Sequence, residues 1–385
     1  MKKGDPLRRR LTLWLVIATT LGVCLPSAAS AQSWPLWESY NRYIVDDQGR
    51  VIDHSAQDHT TSEGQAYAMF FALVVNDRIR FDKLLSWTEI NLAGGDLTLR
   101  LPAWSWGKSP DGTWKILDPN PASDADLWIA YSLLEAGRLW HEPRYEKLGM
   151  IVAIRIAQLE VAYIPGLGTT LISGPVGFHP NETTWLLNPS YLPPFILARL
   201  SNAMPKGPWN AVLSSLQPIL AQGSGDGFAM DWVSAGTGIR PSAPPNKADA
   251  APVGSYDAIR VYLWLGISDP NTPGVRQLFS GVSGMSSYMK SHPMPPEIVD
   301  ASGRALSPNA PPGFSAAVVP YLQVIGLRAS AKAQLDRLTA TRNPTMGLYG
   351  RTPVYYDQNL TLFSTGWIEQ RYRFDRDGRL RVKWR

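Results

Sequence analysis

The pattern of apolar and polar positions divides the chain into two alternating kinds of helical segment. Segments of the first kind start at a polar or turn residue and then run apolar and rich in Ala and Gly, which predicts helices buried on all sides. Segments of the second kind are amphipathic and charged, which predicts helices with one face in solvent. The first kind covers residues 62–76, 123–140, 190–203, 255–266, 313–326 and 357–369; the second covers 34–43, 80–92, 143–163, 209–222, 272–290 and 330–341.

The polar starts of the buried segments recur at a nearly constant interval. Glu63, Asp124, Ser190 and Asp257 follow one another at steps of 61, 66 and 67 residues, about the length of two helices with their loops. Such a period indicates repeated helical hairpins that bury their faces against their neighbours. Six hairpins closed into a ring would place the apolar helices inside and the charged helices outside. All inner helices would then run in one direction and begin at one rim.

A few segments predict structure other than helix. Residues 98–106 and 228–233 alternate enough to be short strands, and residues 371–374 with 379–384 predict a hairpin around Asp375-Arg376-Asp377-Gly378. The stretch 223–254 is rich in Gly and Pro and predicts a long loop. Because long loops in compact domains are often functional, we expect this one to form a wall of a substrate cleft.

The first 31 residues predict a cleaved export signal. Five basic residues precede an apolar run over residues 11–25, and a small-residue stretch ends at Ala31, so we expect the mature chain to begin near Gln32. The run is shorter than the roughly 20 apolar residues of a membrane span, so we expect no stable membrane insertion. Without a low-complexity linker, residues 32–385 predict one domain in a periplasmic or secreted protein.

Composition excludes several classes of function once the leader is set aside. The leader holds five of the 37 basic residues and one of the 32 acidic ones, so the rest carries a net charge of about +1. Such a balance gives no reason to expect nucleic acid as a partner. The one cysteine, Cys24, lies in the leader, and the five histidines are scattered, so we expect no metal and no cofactor. Nothing in the sequence demands more than a monomer.

Three segments that carry carboxylates open apolar helices, and together they suggest acid/base chemistry on a neutral polymer. They are Ser62-Glu63-Gly64-Gln65, Ser123-Asp124-Ala125-Asp126 and Ser255-Tyr256-Asp257-Ala258. An acid in the first turn of a helix is also an ordinary stabilising feature, because the helix dipole favours negative charge there. Spacing alone therefore leaves both the catalytic and the structural role open for each acid.

The longest of these segments carries a family resemblance. Residues 122–136, ASDADLWIAYSLLEA, followed by Trp140, resemble the signature of glycoside hydrolase family 8. Residues 62–67 resemble the proton-donor motif of that family, 188–191 its sugar-binding helix start, and 256–260 its general-base segment. The match runs from about Trp34 to the C-terminus. It implies an all-α fold, an (α/α)6 barrel with a few short strands at the rim, in agreement with the alternation of helices.

The resemblance also implies a reaction, the inverting hydrolysis of β-1,4-glucosidic bonds. One carboxylic acid protonates the departing oxygen while a second carboxylate, about 6.5–9.5 Å away, deprotonates water on the opposite face of the sugar. By this resemblance Glu63 is the acid and Asp257 the base. Asp124 would hold the distorted sugar, and Tyr191 and Arg260 would position the water and Asp257. Branches of the family take the base from different places, so Asp226, Asp231 or Asp249 could serve instead.

Aromatic residues supply further candidates for binding a sugar. Trp104 and Trp106 lie in a Trp-Ser-Trp-Gly stretch without a helical period, and indole faces stack well on the flat apolar faces of a β-linked glucan. Trp185, and Tyr355 or Tyr356, lie near the starts of predicted inner helices. Core packing is the competing role for each of these side chains.

The residues and the resemblance together imply an endo-acting glucanase of neutral polysaccharide, with cellulose as the expected substrate. Within the family, the chain is most similar to the periplasmic members that accompany bacterial cellulose synthesis, which implies the cellulose synthase complex as a further partner. A chitosanase or a xylanase on the same scaffold is the alternative enzyme. The alternative from another class is a polysaccharide-binding factor without turnover.

Overall fold

The computed structural model describes residues 33–385, which form two concentric layers of helices. The inner layer contains α2 (Ser62–Val74), α4 (Ser123–Trp140), α6 (Pro194–Ala203), α8 (Ile259–Ile267), α11 (Pro312–Val324) and α13 (Tyr355–Ile368). The outer layer contains α1 (Pro35–Tyr43), α3 (Arg78–Leu92), α5 (Pro143–Leu159), α7 (Trp209–Gly223), the pair α9 (Val275–Gly281) and α10 (Ser283–Tyr288), and α12 (Arg328–Ala340). This is the expected (α/α)6 barrel. The predicted leader lies outside the described residues.

The inner helices close into a ring. Helix α2 packs on α4, α4 on α6, α8 on α11, α11 on α13, and α13 again on α2. Between α6 and α8, a short 3-10 turn at Pro189–Tyr191 makes the contact with α8. Within residues 33–385, no helix is both long and apolar enough to cross a bilayer.

Aromatic side chains from the inner helices fill the axis of the ring. The Phe70 ring lies 4.9 Å from the Trp128 ring, which in turn lies 4.9 Å from Phe363. Trp264 packs edge-on against Phe363 at 5.1 Å. All four side chains are at most 2% exposed. Each helix face that the apolar pattern predicted as buried therefore contributes to one continuous core, which supplies the main stabilisation of the barrel.

Short strands lie at the rim at which the inner helices begin, and one further hairpin near the C-terminus lies at the opposite end of the barrel. Strand β1 (Thr60–Thr61) leads directly into α2, and β9 (Val253–Gly254) leads into the turn before α8. These belong to the sheets β1-β2-β3 and β9-β10-β11, and a third sheet is β6-β7-β8. The other strands are β2 (Ser105–Lys108), β3 (Trp114–Asp118), β4 (Val161–Ile164), β5 (Gly168–Leu171), β6 (Thr184–Leu187), β7 (Trp232–Gly236), β8 (Arg240–Ser242), β10 (Ile298–Asp300), β11 (Ala305–Ser307), β12 (Tyr372–Phe374) and β13 (Leu380–Val382).

The hairpin β12–β13, predicted from the sequence, packs against the ends of inner helices at the opposite face of the barrel. The Phe374 ring stacks on Phe195 of α6 with centroids 3.8 Å apart. The Trp384 indole N–H donates to the carbonyl of Val74 at 3.1 Å, and Arg385 donates to the carbonyl of Leu139 at 2.7 Å. Carbonyl groups at helix C-termini lack partners within the helix, so these contacts cap α2 and α4. The hairpin therefore closes the barrel floor.

Several predicted boundaries are wrong. The predicted strand 98–106 is a strand only from Ser105 onward, because the Asp96 carboxylate binds the backbone and hydroxyl of Thr98 at 2.8 and 2.6 Å and forms a turn instead. The predicted strand 228–233 lies at 232–236, and the predicted loop 223–254 contains β7, β8 and β9.

Helix boundaries also differ from those predicted. Helix α5 ends at Leu159 rather than at 163, since residues 161–164 pair with β5 across a turn in which Gly166 and Gly168 have positive φ. The segment 272–290 is two helices, α9 and α10, that meet at the non-helical Val282. The segments predicted to begin at 190 and 255 become regular α-helix only at Pro194 and Ile259.

Gly378, in the turn of the closing hairpin, provides a test of this floor. Its φ is +77°, and a Cβ there would lie 1.9 Å from the carbonyl oxygen of Phe195. We expect Gly378→Ala to lower the free energy of unfolding by about 3 kcal/mol or more, because left-handed strain adds to overpacking. Gly326→Ala is the matched control, since Gly326 has φ +84° but open space around it, and should cost about 1 kcal/mol. Equal losses in urea denaturation of the two variants would contradict the close contact.

Candidate active site

Arg260, in the first turn of α8, lies at the centre of a buried charged cluster at the rim. Its Nη1 donates to Glu63 Oε2 and lies 3.3 Å from Asp124 Oδ2, while its Nη2 lies 2.6 Å from Asp257 Oδ1. The guanidinium side chain is 2% exposed. The structure thus brings together four predicted site residues that are separated by up to 197 positions in the chain. Glu63 and Asp257 contact different terminal nitrogens of one guanidinium.

Glu63 lies in the first turn of α2, as its motif predicts. Thr61 is the N-cap of this helix, and its hydroxyl accepts from the backbone N–H of Gly64. Glu63 Oε1 accepts a hydrogen bond from the Tyr355 hydroxyl at 3.1 Å. A side chain at position 64 would collide with the Tyr355 ring, since a Cβ there would lie 2.8 Å from its hydroxyl oxygen. Gly64 therefore allows the tyrosine to reach the carboxylate.

Asp257 precedes α8 rather than lying inside its first turn. The residue belongs to a turn over 255–258, and its carboxylate points back to Arg260 three positions later. Its side chain is 32% exposed, which is the largest exposure among the three carboxylates that contact Arg260. Of these groups, Asp257 is therefore the best placed to meet a molecule that enters from solvent.

The predicted sugar-binding residues Asp124 and Tyr191 flank the cluster. Asp124 lies in the first turn of α4, is 4% exposed, and its Oδ1 accepts from the backbone N–H of Ala125 at 2.8 Å. The Tyr191 ring centroid lies 5.6 Å from the Arg260 guanidinium carbon. The neutral Ser190 hydroxyl accepts a hydrogen bond from Arg260 Nη2 at 3.0 Å. The segment 188–191 thus orients the arginine from the side.

A layer of aromatic side chains lies directly beneath this cluster. The Tyr67 hydroxyl lies 3.4 Å from Arg260 Nη1, and its ring packs edge-on against Phe363 at 5.0 Å. The Trp264 indole N–H donates to the carbonyl of Ser190 at 2.9 Å. The polar site therefore rests directly on the aromatic core, which excludes water from below.

Burial governs the protonation of the three carboxyl groups. Burial raises the pKa of Glu63, Arg260 opposes this rise, and the negative charge of Asp257 adds to it. Burial raises the pKa of Asp257 as well, again against the effect of Arg260. Burial also raises the pKa of Asp124 to about 7, with Arg260 as the main opposing group. One cation faces three carboxyl groups whose pKa values are all raised, so their titrations are linked and their protonated forms are favoured.

The three alternative bases lie elsewhere. The Asp231 carboxylate accepts hydrogen bonds from Ser255 and Ala258, in the turn that carries Asp257, and makes none with Arg260. Asp226 and Asp249 are exposed, and none of the contacts described for residues 33–385 joins either of them to the cluster.

The predicted aromatic platforms differ in their surroundings. Trp104 is 38% exposed, and its carbonyl accepts from the backbone N–H of Ser62 at the start of α2, so it lies beside the acid helix. Trp106 instead packs against Trp87 and Trp114, with Arg50 above its ring at 4.5 Å. These contacts place protein on several sides of the Trp106 ring, whereas the Trp104 ring is exposed.

The remaining aromatic candidates have separate partners. Trp185 is partly buried, and the exposed His179 ring stacks on it at 4.1 Å. The Tyr356 hydroxyl donates to the carbonyl of Tyr256. Of the neighbouring pair at the start of α13, Tyr355 rather than Tyr356 makes the contact with Glu63. Tyr67 and Ser190 also contact Arg260, and the sequence motifs that contain them predict no individual role for either residue.

Several carboxyl groups gathered around one arginine at the rim of a helical barrel can supply the paired carboxyl groups on which glycoside hydrolases depend. Comparison with known proteins identifies the family. The profile of glycosyl hydrolases family 8 matches residues 11–370. The chain belongs to this family and is a glycoside hydrolase.

Three relatives illustrate the match. A protein of Xanthomonas axonopodis pv. citri named endoglucanase is 45% identical over 98% of this chain and 97% of its own length. A protein of Escherichia coli K12 with the same name is 40% identical over 96% of each chain. The crystal structure of an endo-1,4-D-glucanase from Vibrio fischeri superposes with a TM-score of 0.84 at 39% identity, covering 91% of this chain and 99% of that one.

The shared cation gives a prediction about stability. We expect Arg260→Met to lower the free energy of unfolding by about 3–5 kcal/mol at pH 8, because buried carboxylates lose their compensating charge. Without the arginine, the carboxyl pKa values of the folded protein rise further, so the folded state binds more protons than the unfolded one and stability falls as pH rises. The loss should therefore be smaller at pH 5, as measured by urea denaturation at both pH values.

Arg304→Met is the matched control for this prediction. Arg304 also pairs with an aspartate, Asp300, but its side chain is 75% exposed, and exposed pairs contribute little. A loss for Arg260→Met that is no greater than that for Arg304→Met, or that does not depend on pH, would contradict the shared-cation account.

Proposed function

We propose that the protein is an endo-acting β-1,4-glucanase that hydrolyses cellulose with inversion at the anomeric carbon. Glu63 is the general acid and Asp257 the general base. The observation that carries this proposal is the contact of both carboxylates with opposite terminal nitrogens of Arg260, at the rim where the inner helices begin. The names of relatives that match nearly the whole chain support the substrate class.

The reaction is a single displacement. Glu63 gives its proton to the glycosidic oxygen as the bond from that oxygen to the anomeric carbon breaks. Asp257 takes a proton from a water molecule, whose oxygen forms the new bond to the anomeric carbon from the opposite face. Glu63 ends as a carboxylate and Asp257 as a carboxylic acid, and exchange with solvent restores both. Arg260 and Tyr191 orient Asp257 and the attacking water.

The electrostatics of the cluster favour these two roles. Glu63 must be protonated before the reaction, and burial with the nearby Asp257 charge raises its pKa. Asp257 must be ionised, and it is the more exposed of the two and lies 2.6 Å from Arg260. Activity requires a pH below the pKa of Glu63 and above that of Asp257.

Asp124 and the aromatic residues at the rim provide the binding side of the proposal. Asp124, one residue into α4, would accept hydrogen bonds from the distorted sugar at the point of cleavage. Trp104 has the exposed ring that a glucan can stack on. Trp185 and Tyr356, which are partly buried, would be further contacts. Neutral sugars stack on aromatic faces without needing opposite charges.

The alternative functions lack a specific observation in their favour. A chitosanase binds a cationic polymer, and the chain beyond its predicted leader has a net charge of only about +1. A xylanase would use the same acid pair. A binding factor without turnover has no need for two buried carboxylates at one arginine, since burying them costs free energy.

The predicted leader supports the location of the protein, and the resemblance to family members that accompany bacterial cellulose synthesis supports its partner. Export of the chain would place the glucanase in the periplasm or outside the cell, where cellulose emerges from its synthase. We propose that it acts there as a monomer on the growing β-1,4-glucan, beside the cellulose synthase complex.

A reducing-sugar assay on three polymers tests the substrate class. The purified protein should release reducing ends from carboxymethylcellulose and much less from xylan or chitosan. Glu63→Gln and Asp257→Asn should each lower turnover by about 10²- to 10⁴-fold, the range expected of acid/base catalysis, while binding of cello-oligosaccharides persists. Faster cleavage of xylan or chitosan would contradict cellulose as the substrate. Wild-type turnover in either variant would show that the substituted residue is not the acid or the base.

The stereochemical course provides a separate test. During hydrolysis of cellohexaose followed by NMR, the first product should carry the α-anomer at the newly formed reducing end, because water attacks opposite the departing oxygen. Mutarotation then equilibrates the anomers. First appearance of the β-anomer would rule out single displacement and would require a covalent intermediate.

A further inference from the structure

The Asp231 carboxylate has no role in the proposed reaction, and its hydrogen bonds go to the turn that carries Asp257. Asp231 is 8% exposed and directly precedes β7. Its Oδ1 accepts from the backbone N–H of Ser255 at 2.7 Å and from that of Ala258 at 2.8 Å. Its Oδ2 accepts from the Ser255 hydroxyl at 2.5 Å. One carboxylate thus accepts three hydrogen bonds from residues that lie on both sides of Asp257 in the sequence.

Backbone contacts hold Asp231 in this place. Its N–H donates to the carbonyl of Val253 in β9 at 2.8 Å. Two residues earlier, the N–H of Ala229 donates to the Tyr262 hydroxyl of α8 at 2.9 Å. The segment passes so close to Gly254 that a Cβ there would lie 2.1 Å from the carbonyl oxygen of Ala229. The carboxylate is therefore delivered on a fixed backbone, not on a mobile loop.

Helix α8 needs such a partner because its own residues cannot supply one. The N-cap position is Ala258, which has no polar side chain. Asp257, the nearest acid, directs its carboxylate to Arg260 and so cannot cap its own helix. Asp231 supplies the missing negative charge from 27 positions earlier, at a helix end where the dipole favours it.

The same contacts engage Asp231 with the turn rather than with the charged cluster. Both of its oxygens already accept hydrogen bonds from the turn, and none of the contacts described for residues 33–385 joins it to Arg260 or Glu63. Burial raises the pKa of Asp231 to about 6, with the Asp257 charge adding to the rise. Above that pH Asp231 is ionised and accepts from all three donors.

We propose that Asp231 is a positioning residue that fixes the 255–258 turn and thereby aims the Asp257 carboxylate at the attacking water. This inference rests on the proposed role of Asp257 as the general base. Arg260 holds the carboxylate of Asp257, and Asp231 holds the backbone on either side of that residue. Misplacement of a reacting group by about 1 Å can cost on the order of 10²-fold in rate, so the turn matters even though Asp231 touches no substrate.

Steady-state kinetics on cellohexaose test the proposal. Asp231→Ala should lower kcat by about 10- to 100-fold with little change in KM, because the polymer-binding groups remain in place. Asp231→Asn should recover most of this loss, since its amide oxygen still accepts from the N–H groups of Ser255 and Ala258. Asp226→Ala, an exposed acid five residues earlier, is the matched control and should keep wild-type kinetics.

Unchanged kcat in Asp231→Ala would overturn the proposal, as would a loss confined to KM. If Asp231→Ala does not fold, Ser255→Ala decides, because it removes one of the three hydrogen bonds and leaves the backbone contacts intact. We expect a several-fold lower kcat for Ser255→Ala, and wild-type kcat would then overturn the positioning role.

Chemical rescue separates failure of this inference from failure of the proposed function. Azide added to Asp257→Ala should restore cleavage and form a glycosyl azide, because a small nucleophile replaces the base and its water. Azide added to Asp231→Ala should form no glycosyl azide. The reverse pattern would make Asp231 the base and overturn both assignments, whereas rescue of Asp257→Ala with wild-type kcat in Asp231→Ala would overturn the positioning role alone.

Discussion

One buried guanidinium shared among three carboxylates is the interaction on which the rest of the site depends. Arg260 neutralises only part of the charge of Glu63, Asp124 and Asp257, so their protonation states are linked. An arginine suits this position because its planar group offers several donors in fixed directions and stays charged at every relevant pH. A lysine could not meet Glu63 and Asp257 through separate nitrogen atoms.

The barrel supplies the conditions for this cluster. Inner helices that run in one direction bring α2, α4 and the turn before α8 to the same rim, where helix dipoles favour carboxylates. Beneath them the aromatic rings of Tyr67, Trp128 and Trp264 form a floor that contains little polar surface. Low polarity below and solvent above give each acid a different degree of burial. The fold therefore sets the electrostatics of the site as well as its shape.

The sequence predicted the helical architecture well because each inner helix is apolar on all faces. The segment 123–140 coincides with α4. The spacing of four polar starts indicated repeated helical hairpins, and the family resemblance implied that they close into a ring. The resemblance then located Arg260 and the three carboxylates that meet at it. Apolar periodicity and capping residues are local features of the sequence, so they can be identified without knowing which distant segments a helix packs against.

The rim was not predictable in the same way because its strands depend on distant partners. Val161–Ile164 is read as a continuation of α5 until its pairing with Gly168–Leu171 is known. The choice of Tyr355 over Tyr356 depends on the rotation of α13 about its axis, which no local pattern fixes. The sequence marks Asp231 only as an acid in a loop, because its contact with the 255–258 turn joins residues 24 to 27 positions apart.

The floor hairpin has a consequence for how the protein is made. Residues 372–385 are synthesised after all inner helices, yet they cap α2 and α4, whose residues are among the earliest of the described chain. Until they arrive, the aromatic rings along the axis remain open to water at one end. The nascent chain therefore cannot complete the barrel one hairpin at a time, because α2 and α4 gain these caps only after residues 372–385 have been made.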